Sequence, residues 1–137
     1  MSATGRTPPI GDTPPRLVFG PVTRAELLTY SQASGDRNPL HLDTEVAKRA
    51  GFSDVIAQGM LAMAFATRAL EHWFGIDAIR LLQVRFVDSI ALDSVLEASA
   101  TVSSSSFEEA SFEVEITIKD QKNVSKLVGD ASLTVAR

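Results

Sequence analysis

The chain of 137 residues contains no cysteine, two histidines, and only one tryptophan and one tyrosine. Without cysteine there can be no disulfide framework, no thiolate metal ligand and no cysteine nucleophile. The length fits one domain whose apolar core is large enough to need no covalent cross-link. We therefore expect a protein that folds in the reducing cytoplasm.

Positive charge is also scarce, because 13 lysines and arginines face 17 acidic residues and the isoelectric point is about 5.1. Nucleic-acid binding needs a basic surface, so we expect no nucleic-acid partner. The longest apolar run, residues 55–70, is interrupted by polar side chains and is too short to span a bilayer. The Pro- and Gly-rich start lacks the apolar segment of a secretory signal. We expect no membrane partner, a flexible tail at residues 1–14 and a single domain at residues 15–137.

Helical signals are concentrated in the first half of the chain. Thr23 followed by Glu26 has the form of a capping box and predicts a helix over residues 24–33. Asp43 is a good N-cap for a short helix over residues 44–50. The strongest signal is residues 59–74, which are apolar on nearly every side, as in a buried helix.

The second half of the chain changes to the two-residue period of β-strands. Apolar and polar residues alternate over four segments, 82–86, 96–103, 111–118 and 126–135. The alternation places Phe86 on an apolar face and Lys126 on a polar one. Together with a short strand at residues 17–19, it predicts an antiparallel sheet with one solvated side. Helices followed by strands indicate the α+β class, with a curved sheet wrapped around the helix at residues 59–74.

The most informative stretch is residues 30–60, YSQASGDRNPLHLDTEVAKRAGFSDVIAQGM. Asp36 and His41 lie five residues apart in a turn-rich segment. An imidazole titrates near neutral pH, and carboxylates and imidazoles are the usual groups that move protons in catalysis. Downstream, Gly59 begins the apolar helix, and N–H groups at a helix start stabilise a developing oxyanion. This arrangement favours acid–base chemistry on a carbonyl compound.

Each of these side chains also has an ordinary structural explanation. Asp36 follows a glycine and suits a tight turn, and an isolated His41 is more often a surface or turn residue. Asp36, His41 and Asp43 could be considered as metal ligands, but no third strong ligand stands at a characteristic spacing, so we expect no metal. His72, near the end of the apolar helix, suits a structural role. No glycine-rich nucleotide motif is present, and we expect no cofactor.

The segment SGDRNPLH…AGF…IAQGM, the later VRF at residues 84–86 and the strand-rich second half resemble a known family. This is the MaoC-like family of (R)-specific enoyl-thioester hydratases and 3-hydroxyacyl-thioester dehydratases, which has the hot-dog fold. The size is similar to that of its single-domain members, including the HadB-type dehydratase subunits of mycobacterial fatty-acid elongation. The resemblance implies addition of water to trans-2-enoyl thioesters of CoA or acyl carrier protein, or the reverse dehydration.

The resemblance also implies roles for individual residues, because the GD-x-NP-x-H spacing is intact. The catalytic pair of the family falls on Asp36 and His41, which would hold a water molecule beside the β-carbon of the substrate. The family's oxyanion donor, a backbone N–H, falls on Gly59. Asn38 would order the catalytic loop, and Thr67 would reach the same pocket from the central helix.

The chain departs from the family at Gln58, where relatives usually have histidine. Because the implied donor is the neighbouring backbone, we expect the change to alter loop packing or substrate preference rather than remove the donor. Two alternatives stay open: an acyl-thioesterase on the same fold, and a subunit that needs a partner chain. The resemblance implies a homodimer formed by joining two sheets, with a heterodimer possible. Arg85 is either a solvated charge or a contact for a CoA or phosphopantetheine phosphate.

Overall fold

The computed structural model describes residues 6–135, which form three α-helices and one five-stranded, curved antiparallel sheet. The order of strands across the sheet is β1-β3-β4-β5-β2. The helices are α1 (Arg24–Ser34), α2 (Thr44–Arg49) and α3 (Gly59–Phe74), and the strands are β1 (Leu17–Phe19), β2 (Ile79–Phe86), β3 (Leu96–Ser106), β4 (Ser111–Lys119) and β5 (Ser125–Thr134). The predicted α+β class is confirmed.

The core lies between α3 and one face of the sheet. The inward-facing side chains of α3 include Leu61, Phe65, Leu70 and Trp73, all of them buried. They pack with the apolar set of β4, which is Phe112, Val114, Ile116 and Ile118. Every second residue of β4 faces this core, as the two-residue period predicts. No helix among residues 6–135 is both long enough and apolar enough to cross a bilayer.

Two of the helices begin at the caps that the sequence indicates. The Thr23 hydroxyl accepts a hydrogen bond from the Glu26 N–H at 3.1 Å. The Asp43 carboxylate accepts from two N–H groups in the first turn of α2. These bonds satisfy donors that have no partner inside a helix. The ends differ slightly from prediction, because α1 continues to Ser34 and α2 already ends at Arg49.

The alternation gave the wrong environment for Lys126 and Phe86. Lys126, predicted on the polar face of β5, is 8% exposed because residues 86–90 cover its side chain. Phe86, predicted to face the core, is 48% exposed because it ends an edge strand that has a neighbour on one side only. The two-residue period predicts side-chain burial in the middle of a strand, but it fails at the ends, where the chain leaves the sheet.

The predicted tail at residues 1–14 is only partly described, since residues 1–5 lie outside the described range. Its remainder contacts the sheet: the Gly11 N–H donates to the Val102 carbonyl at 2.8 Å, and the Val102 N–H donates to the Asp12 carbonyl at 2.9 Å. The Trp73 indole N–H donates to the Pro15 carbonyl at 2.7 Å. The flexibility of residues 1–14 and the start of the domain at residue 15 therefore stay predictions.

Candidate active site

The backbone of Asp36 is held in place at the end of α1. Gly35 ends this helix in the left-handed region, with φ of 79°, which a glycine adopts without strain. The hydroxyl of buried Ser31 donates to the Asp36 carbonyl, and the Asp36 N–H donates to the Ser34 hydroxyl at 3.1 Å. The chain therefore leaves α1 in a defined direction, with the Asp36 side chain partly open to solvent.

A second set of local hydrogen bonds turns the chain back toward Asp36. One carboxylate oxygen of Asp36 accepts from the Asn38 N–H at 3.1 Å. The Asn38 side-chain oxygen accepts in turn from the Leu40 N–H at 3.1 Å and caps the short 3-10 helix Pro39–His41. Such bonds two residues along the chain are typical of Asp and Asn in turns. Asn38 thus lies at the turn that presents His41.

The two predicted catalytic side chains face each other. The His41 Nε2 atom lies 3.6 Å from Asp36 Oδ2, and the His41 Nδ1 atom lies 2.8 Å from the Ile56 carbonyl oxygen. A carbonyl can only accept, so Nδ1 carries the proton and Nε2 of the neutral ring has a free lone pair. The imidazole is 10% exposed and the carboxylate 42%. The arrangement is an oriented imidazole beside a more accessible carboxylate.

Residues 56–58 connect this pair to the start of α3. The Ile56 N–H donates to the Leu40 carbonyl at 3.1 Å, so the residue whose carbonyl orients His41 is itself bonded to the loop of residues 35–42. The Ala57 N–H donates to the Ile90 carbonyl at 2.8 Å, and Ile56 forms an isolated bridge with Ala91. The segment is therefore braced on both sides before α3 begins.

Gly59 is the first residue of α3 and lines an open cleft of about 380 Å³. Among the described residues its N–H donates to no protein acceptor, as is usual in the first turn of a helix. The other walls of the cleft are formed by residues 57–58, Ala62, residues 86–90 and Lys126. Asp36 and His41 are not among the residues that line this cleft.

Gln58 and Thr67 are both bonded to backbone carbonyls. The Gln58 side chain is fully buried, and its NH₂ group donates to the Leu27 carbonyl of α1 at 2.9 Å. Its Oε1 atom has no partner among the described residues. The Thr67 hydroxyl donates to the Met63 carbonyl at 3.0 Å, and Thr67 is not part of the cleft. The predicted contacts of both residues with substrate stay predictions.

One network that the sequence analysis missed joins the elements on either side of the loop of residues 35–42. Arg24 at the start of α1 forms an ion pair with Asp54, and the Thr44 hydroxyl of α2 donates to the same carboxylate at 2.8 Å. The Val55 N–H bond, followed by the Thr44 bond, holds the pKa of the Asp54 carboxyl below its usual range. These residues are far apart in sequence, and their spacing carries no recognisable signal.

The second missed network surrounds Lys126. Its ammonium group donates to Asp88 Oδ2 and to the Ser89 carbonyl, each at 2.9 Å, and lies 3.5 Å from Asp120 Oδ2. The Lys126 bond lowers the pKa of Asp88. Burial by itself raises the pKa of Asp120, but backbone N–H bonds and Lys126 outweigh it, so the net pKa is lowered. Lys126 stands at a polar position of the alternation in β5, so its place in the sequence gives no sign of this cluster.

The fold and the sequence together identify the family of the chain. The profile of the MaoC like domain matches residues 7–124, which include the loop of residues 35–42, α3 and most of the sheet. The chain therefore belongs to the MaoC-like domain family.

Individual relatives agree with this assignment. A 3-hydroxyacyl-thioester dehydratase X of Mycobacterium tuberculosis is 37% identical over 79 residues, which are 58% of this chain and 28% of that protein. A solved MaoC-like dehydratase superimposes with a TM-score of 0.89 at 27% identity, over 97% of this chain and 42% of that one. An R-hydratase from Pseudomonas aeruginosa gives a TM-score of 0.84 at 24% identity, over 94% of this chain and 83% of that one.

These matches confirm the predicted hot-dog fold over nearly the entire chain. The matches to the curated relatives are shorter, since this chain spans 30% or less of the length of the first two. The geometry of the site is therefore the main basis for a function.

Proposed function

We propose that this protein adds water to trans-2-enoyl thioesters to give (R)-3-hydroxyacyl thioesters, or catalyses the reverse dehydration. The observation that carries the proposal is the pair of acceptors formed by His41 Nε2 and Asp36 Oδ2, 3.6 Å apart. The Ile56 carbonyl keeps the imidazole in the tautomer that accepts at Nε2. One water molecule can donate a hydrogen to each of these two atoms and be held ready for attack.

The reaction then follows from ordinary general acid–base chemistry. The dyad takes a proton from the water as its oxygen forms a bond to the β-carbon of the enoyl group. The electron pair of the double bond moves toward the thioester carbonyl, where negative charge develops on oxygen. The proton returns from the dyad to the α-carbon, so water is added across the double bond without any oxidant or reductant. Dehydration is the same sequence reversed.

We assign the developing oxyanion to the Gly59 N–H, the donor left free at the start of α3. A backbone N–H that points from a helix N-terminus is already oriented, and the helix dipole adds a favourable potential for negative charge. Gln58 fixes the start of this helix against α1 through the Leu27 carbonyl. We also propose that Thr67 reaches the substrate pocket, as the family resemblance implies, and that Gln58, where the chain departs from the family, influences the choice of acyl group.

The substrate in this proposal is an acyl thioester of CoA or acyl carrier protein, in the cytoplasm. Both carriers present the same thioester to the dyad, and the relatives named above include thioester dehydratases. The reaction moves only a water molecule and a proton. It therefore requires no cofactor of its own.

We also propose that two copies of the chain join along β2. This strand is a sheet edge, and two of its large apolar side chains are about half exposed, Leu81 at 52% and Phe86 at 48%. An exposed apolar edge is usually covered in the native protein, and a two-fold pairing of identical edges covers both at once. Size measurement of the purified protein tests this, and mass analysis of co-purified chains would reveal a heterodimer instead.

The function is tested with crotonyl-CoA and a longer trans-2-enoyl-CoA, following loss of the enoyl-thioester absorbance. Asp36→Asn is measured beside Asp93→Asn, a control in an exposed turn where φ of 65° suits asparagine. We expect turnover by the wild type and the control, and its loss in Asp36→Asn. Release of free thiol would indicate a thioesterase, and no turnover by a folded homodimer would contradict the proposal.

A further inference from the structure

Lys126 is a charged residue in an unusual position, because its side chain is almost completely buried at the start of β5. A buried ammonium group is unfavourable unless opposite charges and hydrogen-bond acceptors surround it. Here the ammonium group donates to Asp88 Oδ2 and to the Ser89 carbonyl, each at 2.9 Å, and Asp120 Oδ2 lies at 3.5 Å. Two carboxylates beside one ammonium group disfavour a bound anion, so we do not assign an anion-binding site to it.

The acceptors of Lys126 belong to two different parts of the chain. The Asp120 carboxylate accepts from the N–H groups of Lys122 and Val124, at 2.9 and 3.0 Å, and is thus part of the turn between β4 and β5. Asp88 and Ser89 belong to residues 87–90, which have no regular secondary structure. Lys126 therefore joins an irregular segment to a well-ordered hairpin.

The joined segment, residues 86–90, forms one wall of the cleft in front of Gly59. It contacts the candidate active site at both of its ends. At one end, the Phe86 ring packs on Gly59, 3.5 Å from the position that a Cβ atom would take there. At the other end, the Ile90 carbonyl accepts from the Ala57 N–H at 2.8 Å, next to the Ile56 carbonyl that orients His41.

We propose that Lys126 is a positioning residue that holds the wall formed by residues 86–90 and, through it, the oxyanion donor and the imidazole. Lys126 touches none of the reacting atoms in this proposal. It acts through Phe86 on Gly59 and through Ile90 on residues 56–57. The inference rests on the proposed function for its kinetic readout, while its structural readout is independent of activity.

The kinetic test compares Lys126→Met with Lys122→Met. Methionine keeps the length of the buried stem and removes the charge, and Lys122 is an exposed lysine in the adjacent turn. With rates measured at 25 °C on folded protein, we expect Lys126→Met to lower kcat/KM by about 10- to 100-fold, because a displacement near 1 Å has effects of this size. The fall should appear in kcat as well as KM, since the donor and the base both move. Lys122→Met should stay within about twofold of wild type.

Hydrogen exchange provides a readout that does not depend on turnover. In Lys126→Met we expect the exchange of the amides of residues 87–91 and of Ala57 to rise more than that of the amides of β3 and β4, which report only the change in global stability. Lys126→Arg, which keeps the charge, should recover most of the protection and activity.

Wild-type kinetics and wild-type exchange in a folded Lys126→Met protein would overturn the inference. A uniform rise of exchange over the entire chain would also overturn it, because Lys126 would then support global stability alone. If the wild-type protein hydrates no enoyl thioester, the proposed function fails. The local change in exchange would still decide whether Lys126 holds the wall.

Discussion

Two clusters of acidic and basic side chains differ in how completely they are satisfied. In the loop of residues 35–42, Asp36 and His41 are 3.6 Å apart, and the carboxylate is 42% exposed. In the second cluster, Lys126 is buried and lies 2.9 Å from Asp88 and 3.5 Å from Asp120. The first pair has two free acceptor atoms that face each other, whereas in the second cluster the ammonium group is held by two carboxylates and a backbone carbonyl.

This difference indicates which cluster can do chemistry and which can hold structure. A reacting group needs a lone pair or a proton available to substrate, and the Ile56 carbonyl leaves such a lone pair on His41. A buried polar side chain stabilises the fold best when it is hydrogen-bonded, as Lys126 is to Asp88 and Ser89. Residue types alone do not separate the two, because both clusters combine carboxylates with a base.

The largest effect is expected from removing the imidazole. His41→Ala should lower kcat by about 100- to 10,000-fold, because general base catalysis is lost while the oxyanion donor remains. Initial rates of enoyl-thioester hydration, with a melting curve for each protein, measure this. His72→Ala is the matched control, since His72 is the other histidine and is exposed at the far end of α3. Wild-type rates in His41→Ala would show that the first cluster is not catalytic.

The next largest effect is expected in thermal stability, in which variants of the two clusters should differ. Lys126→Met should lower the melting temperature by about 5 °C, because it leaves two carboxylates without their common partner. Asp36→Asn should change the melting temperature much less, since asparagine keeps the oxygen that accepts from the Asn38 N–H. Thermal unfolding followed by circular dichroism compares the two. A larger loss in Asp36→Asn would reverse the roles assigned to the clusters.

A smaller effect is expected when the pH is lowered. The folded pKa values of Asp88 and Asp120 lie below the unfolded value of 3.8, so both groups stabilise the fold above that value. This stability is lost as the pH falls below 3.8 through the folded pKa values. Asp120→Asn should therefore show a weaker decline of the unfolding free energy between pH 4 and pH 2 than wild type, by denaturant titration. An unchanged slope would argue against the ionic character of the second cluster.

The smallest effects are expected at Gln58. Gln58→His should be tolerated, because an imidazole N–H can also donate to the Leu27 carbonyl, and it should alter rate or chain-length preference more than stability. Gln58→Leu loses this bond but also removes the unpaired Oε1, so its effect on stability should be near zero. Melting curves and rates with two acyl lengths measure both variants. Loss of all activity with an unchanged melting curve would show that position 58 takes part in catalysis itself.

Much of the fold was predictable because its signals are local. The caps Thr23 and Asp43, and the apolar residues of α3, specify the helices through contacts within a few residues. The turn bonds of Asp36 and Asn38 are equally local, and they help to bring the side chains of Asp36 and His41 together. The predicted burial of Lys126 and Phe86 was wrong, because the burial of each depends on where another segment crosses the end of a strand.

The sequence by itself determined the elements, their order, the family and the proximity of Asp36 and His41, since hydrogen bonds over two to five residues and side-chain periodicity govern them. Only the tertiary structure decided the tautomer of His41, through a carbonyl 15 residues away. It also decided the burial of Lys126, whose partner Asp88 is 38 residues away. Such contacts form only when packing brings distant segments together, because no local interaction of these residues favours them.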